Sequence, residues 1–245
     1  PLSGPVHINI QFREPFFEDN GYKRFRKIKN LPAKKTHVRY SNAKHWLPNK
    51  DIKHLLKELP ESGILSIGRI PKEALVSVRI LAKELAWPVF TDITSGLRLG
   101  KNCPNRVTYY DQLLSEDLET AKWEIDAIWH IGFPPTSKLW LKLWDKKPSD
   151  QMVWIADHCE RQDPSHNFSW RIEVDIQSFC KQVVDELKFK NNSKFIQKKT
   201  LDWFEADKKI EKILENYFCS KNEKKVINDF NLARKLTEII PKNHC

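Results

Sequence analysis

The chain has 245 residues, 40% of them hydrophobic, with nine Trp and thirteen Phe, enough to fill the core of one large domain with appendages. Charged residues make up 30% of the sequence, and no apolar run approaches the roughly twenty residues of a membrane-spanning helix, so a soluble protein is expected. The five cysteines (Cys103, Cys159, Cys180, Cys219, Cys245) are odd in number, widely spaced and without a CxxC pair, which argues against a disulfide framework or zinc ribbon and for a reducing cytoplasm.

In chain order, Val6, Ile8 and Ile10 alternate with His7, Asn9 and Gln11, the period of a half-buried strand closed by Pro15. The polar stretch that follows offers it no sheet, so residues 1–16 read as the last strand of a domain whose body lies elsewhere. Pro1 is not a Met and no signal-peptide pattern follows; the chain reads as a fragment. Residues 17–50 read as an extended connection. Ten of them (Lys23, Arg24, Arg26, Lys27, Lys29, Lys34, Lys35, Arg39, Lys44, Lys50) are basic, and none from Gly21 to Lys50 is acidic, so this segment matches the whole formal charge of +10. A second acid-free basic run spans Lys188 to Thr200. Such runs can bind nucleic acid. A solvated linker is the simpler reading, and a stand-alone nucleic-acid-binding module using residues 21–50 is the alternative; it predicts steeply salt-dependent binding.

From Asp51 the pattern becomes regular. A short helix spans Asp51 to Leu59, and Ile64–Ile67 is an apolar strand ending at Gly68. Pro71 opens a helix with Ala74, Val78, Leu81 and Leu85 on one face. Pro88–Ile93 is a second strand, Tyr110–Lys122 a helix, Ala127–Phe133 a third strand, Thr136–Trp144 a helix and Met152–Ala156 a fourth strand. Arg171–Ile176 alternates like an edge strand, and Ser178–Leu187 is helical. Strands that are apolar on both faces and alternate with helices predict an α/β fold, a Rossmann-like parallel sheet covered on both sides, over residues 51–190. Asp202–Phe218 and Asp229–Ile240 are amphipathic helices with no strand between them; residues 191–245 read as a linker helix and the first helix of a further domain.

The seven glycines (Gly4, Gly21, Gly63, Gly68, Gly96, Gly100, Gly132) form neither GxGxxG nor GxSxG, and no P-loop or Gly-Asp-Gly occurs, which weakens a nucleotide-enzyme reading. Asp92 and Asp157 close strands and read as capping or loop-fixing residues. His158 and Cys159 are adjacent, with His166 farther on; neighbours at a strand end point to opposite faces, so a metal cluster is not expected.

Several ordered segments resemble one family. GPVHINIQFREPF (4–16), the strand ending Gly68-Arg69, WPVFTDITSGLR (87–98) with its Ser-x-x-Arg element, the junction from Ile131 to Lys138 ending in Ser-Lys, the Asp-Pro-x-His turn at 163–166 and the helix LARKLTEIIP before Lys242 are together similar to the middle of 2-succinyl-5-enolpyruvyl-6-hydroxy-3-cyclohexene-1-carboxylate synthases, the thiamine-diphosphate enzymes of menaquinone biosynthesis. The resemblance covers essentially the whole chain. It implies a central domain, non-catalytic by itself, of a transferase that decarboxylates 2-oxoglutarate and adds the succinyl unit to isochorismate. It also implies thiamine diphosphate and Mg2+ held by flanking domains of a homodimer or tetramer, with no cofactor or metal bound by the fragment. Lys138 matches a lysine that reaches a substrate carboxylate in that family, whereas Leu139 stands where some members carry Arg; a solvent-facing lysine is the plain alternative. Ser95 and Arg98 are further candidates for a substrate anion, with loop or interface support the preferred role. Arg13 and Glu14 would make interdomain contacts.

Overall fold

The computed structural model describes residues 7–10, 43–57, 59–100, 103–115, 125–146, 151–160, 162–163, 166–189, 198–219 and 229–240. The chain divides into two compact units, residues 1–44 and 45–245.

In the first unit, His7–Ile10 form no strand, and Ile8 and Ile10 are 74% and 64% exposed. The alternation marks a segment able to pair, but pairing needs a neighbour to complete its backbone hydrogen bonds, and none of the described strands supplies one. Most of the predicted linker, including the basic residues from Lys23 to Arg39, lies outside the described residues.

Among its described residues the second unit contains six strands, β1 (Ile64–Ile67), β2 (Val89–Thr91), β3 (Arg106–Val107), β4 (Ala127–Ile131), β5 (Gln151–Ala156) and β6 (Trp170–Glu173). They form one sheet in the order β3-β2-β1-β4-β5-β6, and every pairing is parallel. The α/β expectation therefore holds, and the strand order is that of a doubly wound sheet, reversing between β1 and β4. The two-residue β3 escaped the sequence reading, because a run that short carries no period.

Side chains alternate across the sheet as the pleat requires. Leu65, Ile67, Trp129, Ile131, Val153 and Ile155 pack on one face with α1 (Asn49–Lys57), α2 (Leu75–Leu85) and α5 (Ile176–Phe189). Ile64, Phe90, Ile128, Met152 and Trp154 pack on the other with α3 (Tyr110–Ser115), α4 (Lys138–Lys146) and α6 (Lys198–Cys219). The predicted stripe of α2 is buried at Ala74, Val78, Leu81 and Leu85. Pro71 sits one step earlier than expected, capping a short 3-10 turn at Lys72–Ala74 that leads into α2. The helix expected from Asp202 is α6, which begins at Lys198. It is attached to the sheet through Trp203, which is 3% exposed and meets the Phe90 ring edge-on at 5.3 Å. Asp207 Oδ1 also accepts a hydrogen bond from Tyr109 N at 2.7 Å. The last helix, α7 (Asp229–Ile239), leaves Phe230, Leu232, Leu236 and Ile239 exposed. Among the described residues no helix is long and apolar enough to cross a membrane.

Candidate functional site

Open α/β sheets present ligand groups beyond the carboxyl ends of their strands, at the point where strand order reverses. Here that point lies between β1 and β4, and backbone fills it. Gly68 N donates to Ile131 O at 2.9 Å, Phe133 N to Arg69 O at 3.1 Å and Gly132 N to Ile155 O at 2.8 Å. Trp154 Nε1 also donates to Gly132 O at 2.8 Å. A Cβ at position 68 would stand 1.7 Å from Phe133 O. Gly132 has φ +92°, and a Cβ there would stand 2.4 Å from Arg69 O. Both glycines are therefore required by close approach of the two loops, and at Gly132 also by backbone conformation.

Beneath this closure His130 is fully buried. Its Nε2 lies 2.9 Å from Phe133 O, a pure acceptor, so Nε2 carries the hydrogen and Nδ1 accepts from Ser66 Oγ at 2.6 Å. Ser66 and His130 are register partners of β1 and β4. Burial pushes the imidazole down to about 3, so it is neutral at physiological pH.

On one flank, at the exit of β2, Asp92 is buried. Its Oδ1 accepts from Thr94 N at 2.9 Å and Thr94 Oγ1 at 2.6 Å, making it the N-cap of the turn Ile93–Ser95. Its Oδ2 accepts from Thr136 N at 2.7 Å and Thr136 Oγ1 at 2.8 Å. Burial pushes this carboxyl up, but the donors from Thr94 and Thr136 outweigh burial and hold it below the usual carboxylate range. The loop-fixing role expected for Asp92 is thus observed, and it extends to the exit of β4, a strand that is not a neighbour of β2. Asp157, in contrast, is exposed.

Lys138 is exposed and is the first residue of α4. The helix begins two residues later than the sequence pattern indicates, because Ser137 serves as its cap, its Oγ accepting from Trp140 N at 3.1 Å. Ser95 is buried, donating to Asp92 O at 2.7 Å and accepting from Leu97 N at 3.1 Å. Arg98 donates to Thr91 O at 3.4 Å and lies over the Tyr110 ring at 4.9 Å. These contacts hold the loop after β2, the role preferred for both residues. Asp92 joins that loop to the segment leading into Lys138. On the other flank His158 is buried and stacks on Phe133 at 4.0 Å, with Arg69 over the same Phe133 ring at 4.1 Å. Burial, and then Arg171 beside it, lowers the His158 pKa. Asp163 Oδ1 accepts from His166 N at 3.1 Å; positions 164 and 165 of the expected turn lie outside the described residues.

At the strand-order reversal the described residues do not fit a diphosphate. A glycine-lined turn would need room at the strand-order reversal, where the backbone of Gly68, Arg69, Gly132 and Phe133 is in contact. Among the described residues no three His, Cys, Asp or Glu side chains are grouped as metal ligands.

Residues 30–245 match the family described as "Middle domain of thiamine pyrophosphate". The chain belongs to this middle-domain family. The match takes in the basic residues from position 30 onward, which therefore fall within the same family domain. The middle domain is similar to the 2-succinyl-5-enolpyruvyl-6-hydroxy-3-cyclohexene-1-carboxylate synthase of Rubrobacter xylanophilus, at 28% identity over 100% of this chain and 42% of that protein. It is similar to the synthase of the same name from Chlorobium phaeobacteroides, at 28% identity over 98% of this chain and 40% of that protein. It is also similar to Protein PHYLLO, chloroplastic, of Arabidopsis thaliana, at 28% identity over 74% of this chain and 12% of that protein. The chain thus spans about two fifths of the length of the bacterial relatives.

Proposed function

We propose that this chain is the central domain of a thiamine-diphosphate-dependent synthase that decarboxylates 2-oxoglutarate and adds the succinyl unit to isochorismate, a step of menaquinone biosynthesis. The family match over residues 30–245 carries this reading, supported by the names of the bacterial relatives. In it, thiamine diphosphate and Mg2+ are held by the flanking domains of paired subunits in the cytoplasm, and supply the chemistry of decarboxylation there. The middle domain by itself is inactive and contributes a scaffold and part of the substrate wall.

Within that wall Lys138 is the substrate contact. It stands exposed at the exit of β4, a central strand, and at the start of α4. There its ammonium and the positive end of the helix dipole both favour a carboxylate. Both substrates are dicarboxylates. Ser95 and Arg98 support this wall by holding the loop after β2.

In the full-length enzyme Lys138→Ala removes a charge-assisted hydrogen bond of about 1.5–3 kcal/mol, and so raises the KM of one dicarboxylate about tenfold to hundredfold. An unchanged KM and kcat would remove Lys138 from the site. The synthase assignment is checked separately: the full-length protein should release CO2 from 2-oxoglutarate in the presence of isochorismate, thiamine diphosphate and Mg2+. No turnover by a folded, cofactor-loaded protein overturns it.

A further inference from the structure

The two residues that lead into Lys138 are each gripped by a carboxylate from another part of the fold. Thr136 gives both its N–H and its Oγ1–H to Asp92 Oδ2, at 2.7 and 2.8 Å. Ser137 Oγ donates to Asp111 Oδ1, in the first turn of α3, while accepting from Trp140 N. Asp92 itself has no freedom to turn. It is fully buried, its other oxygen is committed to Thr94, and its own N–H donates to Ile67 O at 2.8 Å. The backbone that sets where the Lys138 side chain starts is therefore referenced to β1, β2 and α3 at once.

We propose that Asp92 is a positioning residue for substrate binding, acting through Thr136 to fix the origin of the Lys138 side chain, with Asp111 and Ser137 as a second brace. This inference rests on the reading of Lys138 as the substrate contact. Thr136 is exposed and its hydroxyl bond is needed neither for the sheet nor for the core. A bond of this kind, spanning two loops 44 residues apart in sequence, matters most for the loop it restrains. Asp92→Asn turns one acceptor oxygen into an N–H2 donor, so one of the two threonine pairs meets a donor instead of an acceptor. Thr136→Val deletes only the Oγ1 bond and keeps the backbone bond, a milder change.

The experiment is a double-mutant cycle in the full-length enzyme, combining Asp92→Asn and Thr136→Val each with Lys138→Ala, and measuring KM and kcat for both dicarboxylates. Asp92→Asn should raise KM for the same substrate as Lys138→Ala, by roughly threefold to thirtyfold, with a smaller rise for Thr136→Val, since misplacing a binding group by about 1 Å costs up to about a hundredfold. In the Lys138→Ala background both effects on KM should disappear, because the positioned group is gone. If Asp92→Asn does not fold, Thr136→Val carries the test. An unchanged KM in the folded single variants, or an equal rise with and without Lys138, overturns the positioning role and leaves Lys138 itself in place. An unchanged KM in Lys138→Ala alone overturns both the contact and its positioning.

Discussion

His130 shows how a polar side chain survives in the middle of a sheet. It is fully buried, yet both ring nitrogens are used, by Ser66 and by Phe133 O. The neutral form is required, and this gives stability a pH dependence. The folded pKa lies near 3, against 6.5 for a free histidine. Between those values the unfolded chain binds a proton that the folded chain does not. His130 therefore contributes its full stabilisation above pH 6.5 and loses it as pH falls toward 3, at about 1.4 kcal/mol per pH unit. The lowered pKa of His158 acts in the same direction. Urea unfolding followed from pH 7 to pH 4 should show this fall, and His130→Gln should flatten it; an equal slope in the variant would exclude His130 as its source. Gly68 offers a second check at this scale. Since its Cβ would lie 1.7 Å from a backbone oxygen, Gly68→Ala must separate the β1 and β4 loops, and we expect about 3 kcal/mol of destabilisation or more in the urea midpoint. A loss below about 0.5 kcal/mol would mean that the two loops are free to part.

At the scale of elements, the strands β1, β4 and β5 were legible in the sequence because a parallel sheet covered on both faces demands uninterrupted apolar runs, and the stripe of α2 because one helical face meets that sheet. Boundaries shifted where side chains took over capping, as Ser137 does for α4. The strand expected around Ile8 finds no neighbour among the described strands, because alternation reports a capacity to pair and the sheet expected to receive it belongs to another domain. The candidate site was legible only in part. Resemblance singled out Lys138 and the strand-end position of Asp92 indicated a loop-fixing role, but the bond from Asp92 to Thr136 joins residues 44 apart and depends on β1 lying between β2 and β4. Nothing local announces such a contact; the same is true of Ser66 and His130. Helix α6 illustrates an element fixed by few residues. Trp203 is its buried anchor on Phe90, while Ile213 on the same helix is 65% exposed. Trp203→Ala should cost about 3–5 kcal/mol and speed amide exchange in α6 ahead of β4 and β5. Uniform exchange across α6 and the sheet would show that α6 is not separately anchored.

At the scale of the whole molecule, the chain carries a doubly wound sheet whose strand-order reversal is closed, within relatives more than twice its length. At that reversal the described residues leave no room for a diphosphate cradle, and a direct prediction follows. Thiamine diphosphate with Mg2+ added to this chain should leave its Tm unchanged. A ligand at about a hundred times its Kd stabilises by about 2.7 kcal/mol, a rise easily resolved, and such a rise would show that the chain holds a cofactor cradle of its own. Flavin and nicotinamide nucleotides should behave in the same way.

The closure at Gly68 and Gly132 bears on how a substrate could come and go. The segment from Gly132 to Lys138 is tied at its root to the ends of β1 and β5 through Gly132 and Phe133, and at its far end to Asp92 and Asp111. A loop fastened at both ends does not swing freely as a lid, since opening it would break the backbone bonds at its root or the bonds of Thr136 and Ser137 to Asp92 and Asp111. On the proposed role of Lys138, binding of a dicarboxylate there should therefore proceed without a slow conformational phase in this loop. In the proposed function the middle domain is then a fixed wall, and timing belongs to whatever closes against it.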